Sequence, residues 1–192
     1  MNIANRITLF RIGATFMFMF FLFAHGLWAK LISLIIFILA ALSDFYDGFI
    51  ARKKNIVSDF GKLMDPIADK ILVLAAFACF VQMQLIEAWM FVIIFSREIL
   101  IFSLRLFALS KGKVLAATQA GKHKTFSQMV VVFIILAFIL FKEIMLEFYS
   151  WNPAWESFLR GTIYFLMLIT VGLTLYSGIF YLWKNRKIIT KI

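Results

Sequence analysis

The 192-residue sequence has few charged residues and few prolines, glycines and cysteines. Only 16% of its residues are charged, and it has two prolines, nine glycines and one cysteine. An average soluble protein is about one quarter charged and about half apolar, whereas 64% of this chain is hydrophobic. A globule of this size cannot bury so much apolar surface. The composition excludes a disordered chain, a nucleic-acid-binding domain and a soluble enzyme, and it indicates a polytopic helical membrane protein.

The single cysteine, Cys79, cannot form a disulfide within the chain. It lies in an apolar run, where a thiol without nearby cations behaves as a small hydrophobic group. We therefore predict that Cys79 is buried and unreactive.

The chain contains six runs of the length and apolar character that a membrane-spanning helix requires, which is about 20 residues. Their limits are 7–26, 31–51, 65–84, 88–108, 125–142 and 161–183. The predicted fold is all-α, a polytopic membrane protein with six transmembrane helices that form one domain over residues 1–192. Residues 2–10 are predicted to form a short interfacial segment before the first span. No small-residue cleavage site follows the first run, so we do not expect it to be a cleaved signal peptide.

The positive charges are distributed unevenly along these spans. If the N-terminus is cytoplasmic, sixteen of the 20 Lys and Arg residues lie at cytoplasmic ends and three, Lys30, Lys142 and Arg160, lie on the other side. Cytoplasmic loops are rich in Lys and Arg. This bias predicts that both termini face the cytoplasm. The single short chain, in which we recognise no targeting peptide, favours a bacterial-type plasma (inner) membrane. The segment 143–157 is predicted to be an outer loop with Trp151 and Trp155 at the membrane interface.

Aspartate is confined to one short part of the chain. All five aspartates lie between Asp44 and Asp69. On helices, Asp44 and Asp47 share one face, and so do Asp65 and Asp69. The two pairs stand at the ends of consecutive antiparallel spans, with residues 53–62 as the predicted turn, so they can converge. Four converging carboxylates need cations to remain ionised, and an all-oxygen donor set favours Mg²⁺, Mn²⁺ or Ca²⁺ over zinc.

A purely structural interpretation explains only part of this cluster. Asp65 followed by Pro66 has the pattern of a helix N-cap with proline at the first helical position, and Asp59 is predicted to be a loop residue. Capping accounts for one aspartate but not for four on converging faces. Charges beside membrane spans are costly and are usually functional.

The complete pattern, DxxDGxxARx₈GxxxDxxxD, resembles the signature of the CDP-alcohol phosphatidyltransferase family, and all eight fixed positions are present. At average usage, near one in twenty per residue, a chance match has a probability of roughly 10⁻¹⁰ per starting position. The resemblance implies six transmembrane helices and a homodimer. It also implies transfer of a phosphatidyl group from CDP-diacylglycerol to an alcohol, with release of CMP.

The resemblance also implies roles for individual residues. Two divalent cations, Mg²⁺ or Mn²⁺, would be bound by Asp44, Asp47, Asp65 and Asp69. Of these, Asp69 would also be the general base that takes the proton of the acceptor hydroxyl. The expected CDP-diacylglycerol-binding residues are Asn5, Thr8, Arg11, Gly48, Arg52, Ser58 and Gly61.

The fourth predicted span carries two adjacent charges, Arg97 and Glu98. They could pair with groups on neighbouring helices, or Arg97 could bind an anionic substrate in a polar cavity. The chain also resembles the branch of the family whose acceptor is glycerol 3-phosphate. That resemblance rests on Asn2–Arg11, on Arg97–Arg105 and on Gly121–Thr125. It implies a glycerol-phosphate pocket made of Arg97, Arg105, Lys122 and Lys124, with Glu98 orienting a cation.

Other functions remain as alternatives at this stage. The same chemistry could use serine, inositol phosphate or phosphatidylglycerol as the acceptor, although an uncharged acceptor leaves Arg97 without a purpose. A transporter or ion channel could use paired aspartates in a membrane, but the outer half of the chain offers no matching polar path. An inactive membrane scaffold is disfavoured by the intact set of four aspartates.

Overall fold

The computed structural model describes residues 3–54, 59–113, 115, 119–149 and 151–189. Over these residues the chain is helical, without a strand. The six helices are α1 (Ile3–Phe23), α2 (Leu27–Lys54), α3 (Asp59–Gln82), α4 (Ala88–Ser110), α5 (Gln119–Phe148) and α6 (Pro153–Ile189). Each predicted span lies largely within one of these helices, which confirms the all-α fold.

Several helices extend beyond the predicted spans. The predicted turn 53–62 is wrong in its limits, because α2 continues to Lys54 and α3 begins at Asp59. The predicted outer loop 143–157 is likewise wrong in its limits, since α5 ends at Phe148 and α6 begins at Pro153, while its position on the outer side stays a prediction. Hydropathy marks only the apolar part of a helix, whereas Lys, Arg and Glu are also good helix formers and continue it past the apolar run.

Helix α1 is continuous from Ile3 to Phe23. The described part of the predicted interfacial segment is thus the first portion of the same helix. Arg11, predicted at the edge of the span, has a side chain that is buried in the structure.

Helix α4 ends in a turn of well-defined geometry. The amide of Lys113 donates to the Ala108 carbonyl at 2.9 Å, and the amide of Gly112 donates to the Leu109 carbonyl at 2.9 Å. Gly112 has a φ of +70°, a left-handed conformation that glycine adopts without strain. This pattern is the Schellman motif, which satisfies the last carbonyls of the helix.

The chain divides into two compact units, and the first comprises Met1–Cys79 and Leu136–Pro153. Within it, α1 and α2 pack through Phe18 and Phe37, which are both fully buried with ring centroids 5.4 Å apart. The Nζ of Lys30 donates to the carbonyls of Leu22 and Ala24 at 2.7 and 2.9 Å, which satisfies acceptors at the C-terminal end of α1. Cys79 is buried, as predicted.

The second unit comprises Phe80–Ile135 and Ala154–Ile192. Its α6 buries one stripe of side chains that changes character along the helix. The first part is mainly apolar and the second part is polar or amphipathic: Ile163, Met167, Thr170, Val171, then Thr174, Ser177, Tyr181 and Asn185. The spacing of three or four residues places these side chains on one face. A polar interior in a mainly apolar helix indicates a buried polar site in this unit.

Two helices are long and apolar enough to cross a membrane, judged on the part of the chain that the structure describes. They are His123–Phe148 in α5 and Pro153–Arg186 in α6. Only 33% and 39% of their most apolar windows are buried inside the structure. Phe126 and Phe165 are examples of their exposed aromatic side chains. Such surface is stable against lipid rather than water, which distinguishes these helices from the buried core helices of a soluble protein.

Candidate functional site

The four motif aspartates lie on two consecutive helices of the first unit. The backbone of α2 carries Asp44 and Asp47, and the backbone of α3 carries Asp65 and Asp69. The helical backbone therefore places the members of each pair on one face, as their spacing predicts. Their side chains lie outside the described residues. No group of three His, Cys, Asp or Glu side chains forms a metal site among those that are described.

The predicted cap at Asp65–Pro66 is wrong. Helix α3 begins at Asp59, so Asp65 and Pro66 lie inside the helix and Asp59 is its first residue rather than a loop residue. An acidic residue at a helix start is favoured by the helix dipole, which gives a physical reason for the earlier start. Because proline has no N–H, Pro66 cannot donate the usual helical hydrogen bond to the carbonyl of Lys62 on the helix that carries Asp65 and Asp69.

The predicted CDP-diacylglycerol residues are spread over three helices. The backbones of Asn5, Thr8 and Arg11 lie on α1, those of Gly48 and Arg52 on α2, and that of Gly61 on α3. Ser58 lies outside the described residues, as do the side chains of Asn5, Thr8 and Arg52. Arg11 is described and is 2% exposed, and its carbonyl accepts a hydrogen bond from Thr15 Oγ1 at 2.8 Å.

Arg97, Glu98 and Lys124 form a buried ionic cluster in the second unit. Arg97 Nη1 lies 3.2 Å from Glu98 Oε1, and the Nζ of Lys124 contacts the same oxygen. The side chains of Glu98 and Lys124 are 4% and 3% exposed, and that of Arg97 is 12% exposed. Two cations contact one carboxylate oxygen in a dehydrated environment. Coulomb attraction is strong there because the effective dielectric constant is low.

Arg97 has a partner on α6 that the sequence analysis missed. Its Nη2 donates to Ser177 Oγ at 3.0 Å, across 80 positions of sequence. The available signal was the series Thr170, Thr174 and Ser177, three hydroxyls spaced along one face of an apolar span. That series marks the polar face, but it does not specify Arg97 as the residue facing it.

The structure brings together two of the four predicted glycerol-phosphate residues. Arg97 and Lys124 meet through Glu98. Arg105 is exposed on α4 and has no hydrogen bond or ion pair with Arg97, Glu98 or Lys124 among the described contacts. The backbone of Lys122 lies on α5, and its side chain is outside the described residues. The pairing of Arg97 with a neighbouring helix, an alternative from the sequence, is present in the contact with Ser177.

The fold and this cluster define a helical membrane protein with charged residues enclosed in its interior. Residues 1–176 match the family model of the CDP-alcohol phosphatidyltransferases. The chain therefore belongs to the CDP-alcohol phosphatidyltransferase family, and it is a transferase.

Curated relatives resemble the chain over most of its length. A Bacillus subtilis (strain 168) protein is 42% identical over 147 residues, which is 70% of this chain and 76% of the relative. A Rickettsia bellii protein is 34% identical over 170 residues, covering 85% and 93% of the two chains. A Salmonella paratyphi A protein is 33% identical over 192 residues, covering 96% and 95%. All three are named CDP-diacylglycerol–glycerol-3-phosphate 3-phosphatidyltransferase.

Proposed function

We propose that the protein transfers the phosphatidyl group of CDP-diacylglycerol to glycerol 3-phosphate. A hydroxyl oxygen of glycerol 3-phosphate forms a bond to the phosphorus that carries diacylglycerol, and the bond from that phosphorus to CMP breaks. The products are phosphatidylglycerophosphate and CMP, and the hydroxyl proton passes to a base on the protein. The name shared by the three relatives supports this reaction.

The observation that carries the choice of a phosphorylated acceptor is the buried guanidinium of Arg97, and the name shared by the relatives supports glycerol 3-phosphate among such acceptors. Arg97 is 12% exposed, and its buried Nε has no hydrogen-bond partner in the described part of the chain, which is costly unless a ligand uses it. Glycerol 3-phosphate brings a phosphate dianion that can accept paired hydrogen bonds from arginine. Serine brings no phosphate, so it gives these cations no comparable role.

The chemical step is assigned to the aspartates of α2 and α3. Asp44, Asp47, Asp65 and Asp69 would hold two divalent cations, Mg²⁺ or Mn²⁺, because carboxylate oxygens are the ligands that these ions prefer. Bound there, the cations supply positive charge that neutralises the pyrophosphate and acidifies the acceptor hydroxyl. Asp69 accepts the proton of that hydroxyl. A carboxylate can serve as this base because the acceptor hydroxyl would already be acidified by the cations.

The donor nucleotide is assigned to residues around these aspartates. Gly48 and Gly61 leave the helix backbones open to close approach, and Arg52 provides a cation one turn beyond Gly48. Asn5, Thr8 and Arg11 on α1 would close the nucleotide side, with Ser58 completing the set. The support is the match of these residues to the family pattern.

The proposed setting is a plasma (inner) membrane crossed six times by a homodimeric protein, with the active site and both termini in the cytoplasm. The sixteen-to-three distribution of Lys and Arg supports this orientation.

Cysteine labelling tests the orientation. Cys79 is buried, so single cysteines added at exposed Lys184 and Trp28 can show on which side of the membrane each position lies. A membrane-impermeant thiol reagent applied to intact cells is expected to label the Trp28 position only. Labelling of the Lys184 position alone would reverse the orientation.

The deciding experiment measures CMP release by the purified protein with CDP-diacylglycerol, Mg²⁺ or Mn²⁺, and one acceptor at a time. Release with glycerol 3-phosphate but not with serine, inositol phosphate or phosphatidylglycerol is expected. Release only with serine would retain the aspartate chemistry and refute the role of Arg97. Release only with inositol phosphate would retain that role and refute glycerol 3-phosphate as the acceptor. No release of CMP by a folded sample with any acceptor would favour a scaffold or transporter.

The metal dependence is tested by chelation. Thorough treatment with EDTA is expected to abolish CMP release, and Mg²⁺ or Mn²⁺ is expected to restore it.

A further inference from the structure

We propose that Ser177 and Gly178 of α6 form a seat that positions the Arg97 guanidinium for the acceptor phosphate. Both would be positioning residues that act through Arg97, and they would set the affinity for the phosphorylated acceptor. This inference rests on the proposed function, because it assigns the structural support for that acceptor site. It adds a helix, α6, that none of the predicted site residues occupies.

The hydroxyl of Ser177 is oriented so that it accepts from Arg97. Ser177 Oγ donates its single proton to the Thr174 carbonyl at 3.1 Å. Its lone pairs are then directed at Arg97 Nη2, which donates at 3.0 Å. Ser177 is fully buried, so water does not compete for this bond. The contact therefore fixes the rotation of the guanidinium against α6.

Gly178 provides the space in which the stem of Arg97 lies. A Cβ built on Gly178 would be 3.3 Å from Arg97 Cγ and 3.8 Å from its Nε. The first distance is tighter than ordinary van der Waals contact, so an alanine there would push the arginine stem away. Glycine is less favourable than alanine in a helix interior. The close approach of Arg97 gives a reason for a glycine at position 178.

One donor of the guanidinium has no protein partner in the described part of the chain. Nη1 is used by Glu98 and one proton of Nη2 by Ser177. Nε is buried and has no hydrogen-bond partner in the described part of the chain. Nε and Nη2 form the edge that binds carboxylate or phosphate in a bidentate manner. A buried N–H without an acceptor is costly, and the phosphate of the acceptor would satisfy it.

The test compares steady-state kinetics of Ser177→Ala and Gly178→Ala with the unmodified protein. We expect the KM for glycerol 3-phosphate to rise roughly tenfold in Ser177→Ala, as for the loss of one hydrogen bond to a charged group. Gly178→Ala should raise this KM similarly, because the displaced arginine loses its contact with Ser177. The kcat and the KM for CDP-diacylglycerol should stay within about twofold. Ser177→Thr, which keeps the hydroxyl, should restore most of the affinity. Equal changes in all three constants, or no change in the KM for glycerol 3-phosphate, would overturn the seat.

Matched controls lie on the same helix. Thr162 Oγ1 donates to a backbone carbonyl of its own helix, that of Phe158, at 3.0 Å. A Cβ on Gly172 would meet nothing within 4 Å. Thr162→Ala and Gly172→Ala are therefore expected to leave all kinetic constants unchanged. Large effects of these controls would show that the KM responds to any change in α6, which would also refute the proposal.

A double-variant comparison tests whether Ser177 acts through Arg97. In an Arg97→Lys background, Ser177→Ala should add little to the KM for glycerol 3-phosphate, because lysine lacks the two-nitrogen edge. Full additivity would contradict positioning. If the unmodified protein releases no CMP with glycerol 3-phosphate, the proposed function fails and the seat fails with it. If it does release CMP and Ser177→Ala is unaffected, only the seat fails.

Discussion

Glu98 on α4 and Lys124 on α5 form an ion pair in which both side chains are almost completely buried, at 4% and 3% exposure. The same Glu98 oxygen also accepts a hydrogen bond from Arg97 Nη1. One carboxylate oxygen therefore contacts cations from two helices. The pair lies in the unit that contains the polar face of α6, so it contributes to the stability of the proposed acceptor site as well as to its charge.

Replacing Glu98 by glutamine is expected to destabilise the protein strongly. Removing one partner of a buried ion pair costs about 3–5 kcal/mol, because the remaining charge is left without compensation. The melting temperature of Glu98→Gln, measured in detergent, should fall well below that of the unmodified protein. Glu87→Gln is the matched control, since Glu87 is exposed at the start of α4 and makes no side-chain cap. The double variant Glu98→Gln/Lys124→Gln should lose less than the sum of its single changes. Full additivity would mean that the contact contributes nothing.

Replacing Asp69 by asparagine is expected to abolish CMP release while leaving some metal binding. Loss of a general base typically lowers the rate by about 10²–10⁴-fold. The turnover number with saturating glycerol 3-phosphate and Mg²⁺ or Mn²⁺ measures this effect. Asp59→Asn, on the same helix but outside the signature, should keep its activity. Normal turnover by Asp69→Asn would remove the assignment of the base, and equal loss in both variants would point to folding.

Lys30 is expected to stabilise the junction between α1 and α2. Its Nζ satisfies the carbonyls of Leu22 and Ala24, which have few alternative donors at a helix end. Lys30→Met keeps the apolar stem and removes the donor, and it should cost about 1–3 kcal/mol. Thermal unfolding should show this loss, whereas Lys184→Met, at an exposed position of α6, should leave the melting temperature unchanged. A stable Lys30→Met variant would show that other groups satisfy these carbonyls.

Gln84 has a φ of +56°, in the left-handed region. That conformation costs a residue with a Cβ about 1–2 kcal/mol, and glycine avoids most of the cost. Gln84→Gly should therefore raise the melting temperature slightly, while Gln84→Val should lower it. The carbonyl of Gln84 still accepts from Arg160 Nη1, at 2.8 Å, in both variants because the bond is made by the backbone. A lower melting temperature for the glycine variant would show that the side chain stabilises this turn.

The sequence alone determined the helical fold, the burial of Cys79 and the family. Hydropathy identifies apolar helices because a membrane-spanning helix needs about 20 mostly apolar residues. Each segment meets this requirement through its own composition, without contacts to other segments. The aspartate signature identifies the family because its spacing sets which carboxylates share a helix face. Both signals are local. Local signals were less reliable at helix ends, where Asp65–Pro66 resembled a cap but lies inside α3.

Only the tertiary structure decided which side chains meet. It placed Ser177 against Arg97, Glu98 against Lys124, and Lys30 against the carbonyls of Leu22 and Ala24. No spacing rule relates residues 97 and 177, because the rotation and depth of α4 and α6 depend on the packing of both helices. A buried charge requires a partner, which the sequence indicates. The identity of that partner depends on the packing of the folded chain.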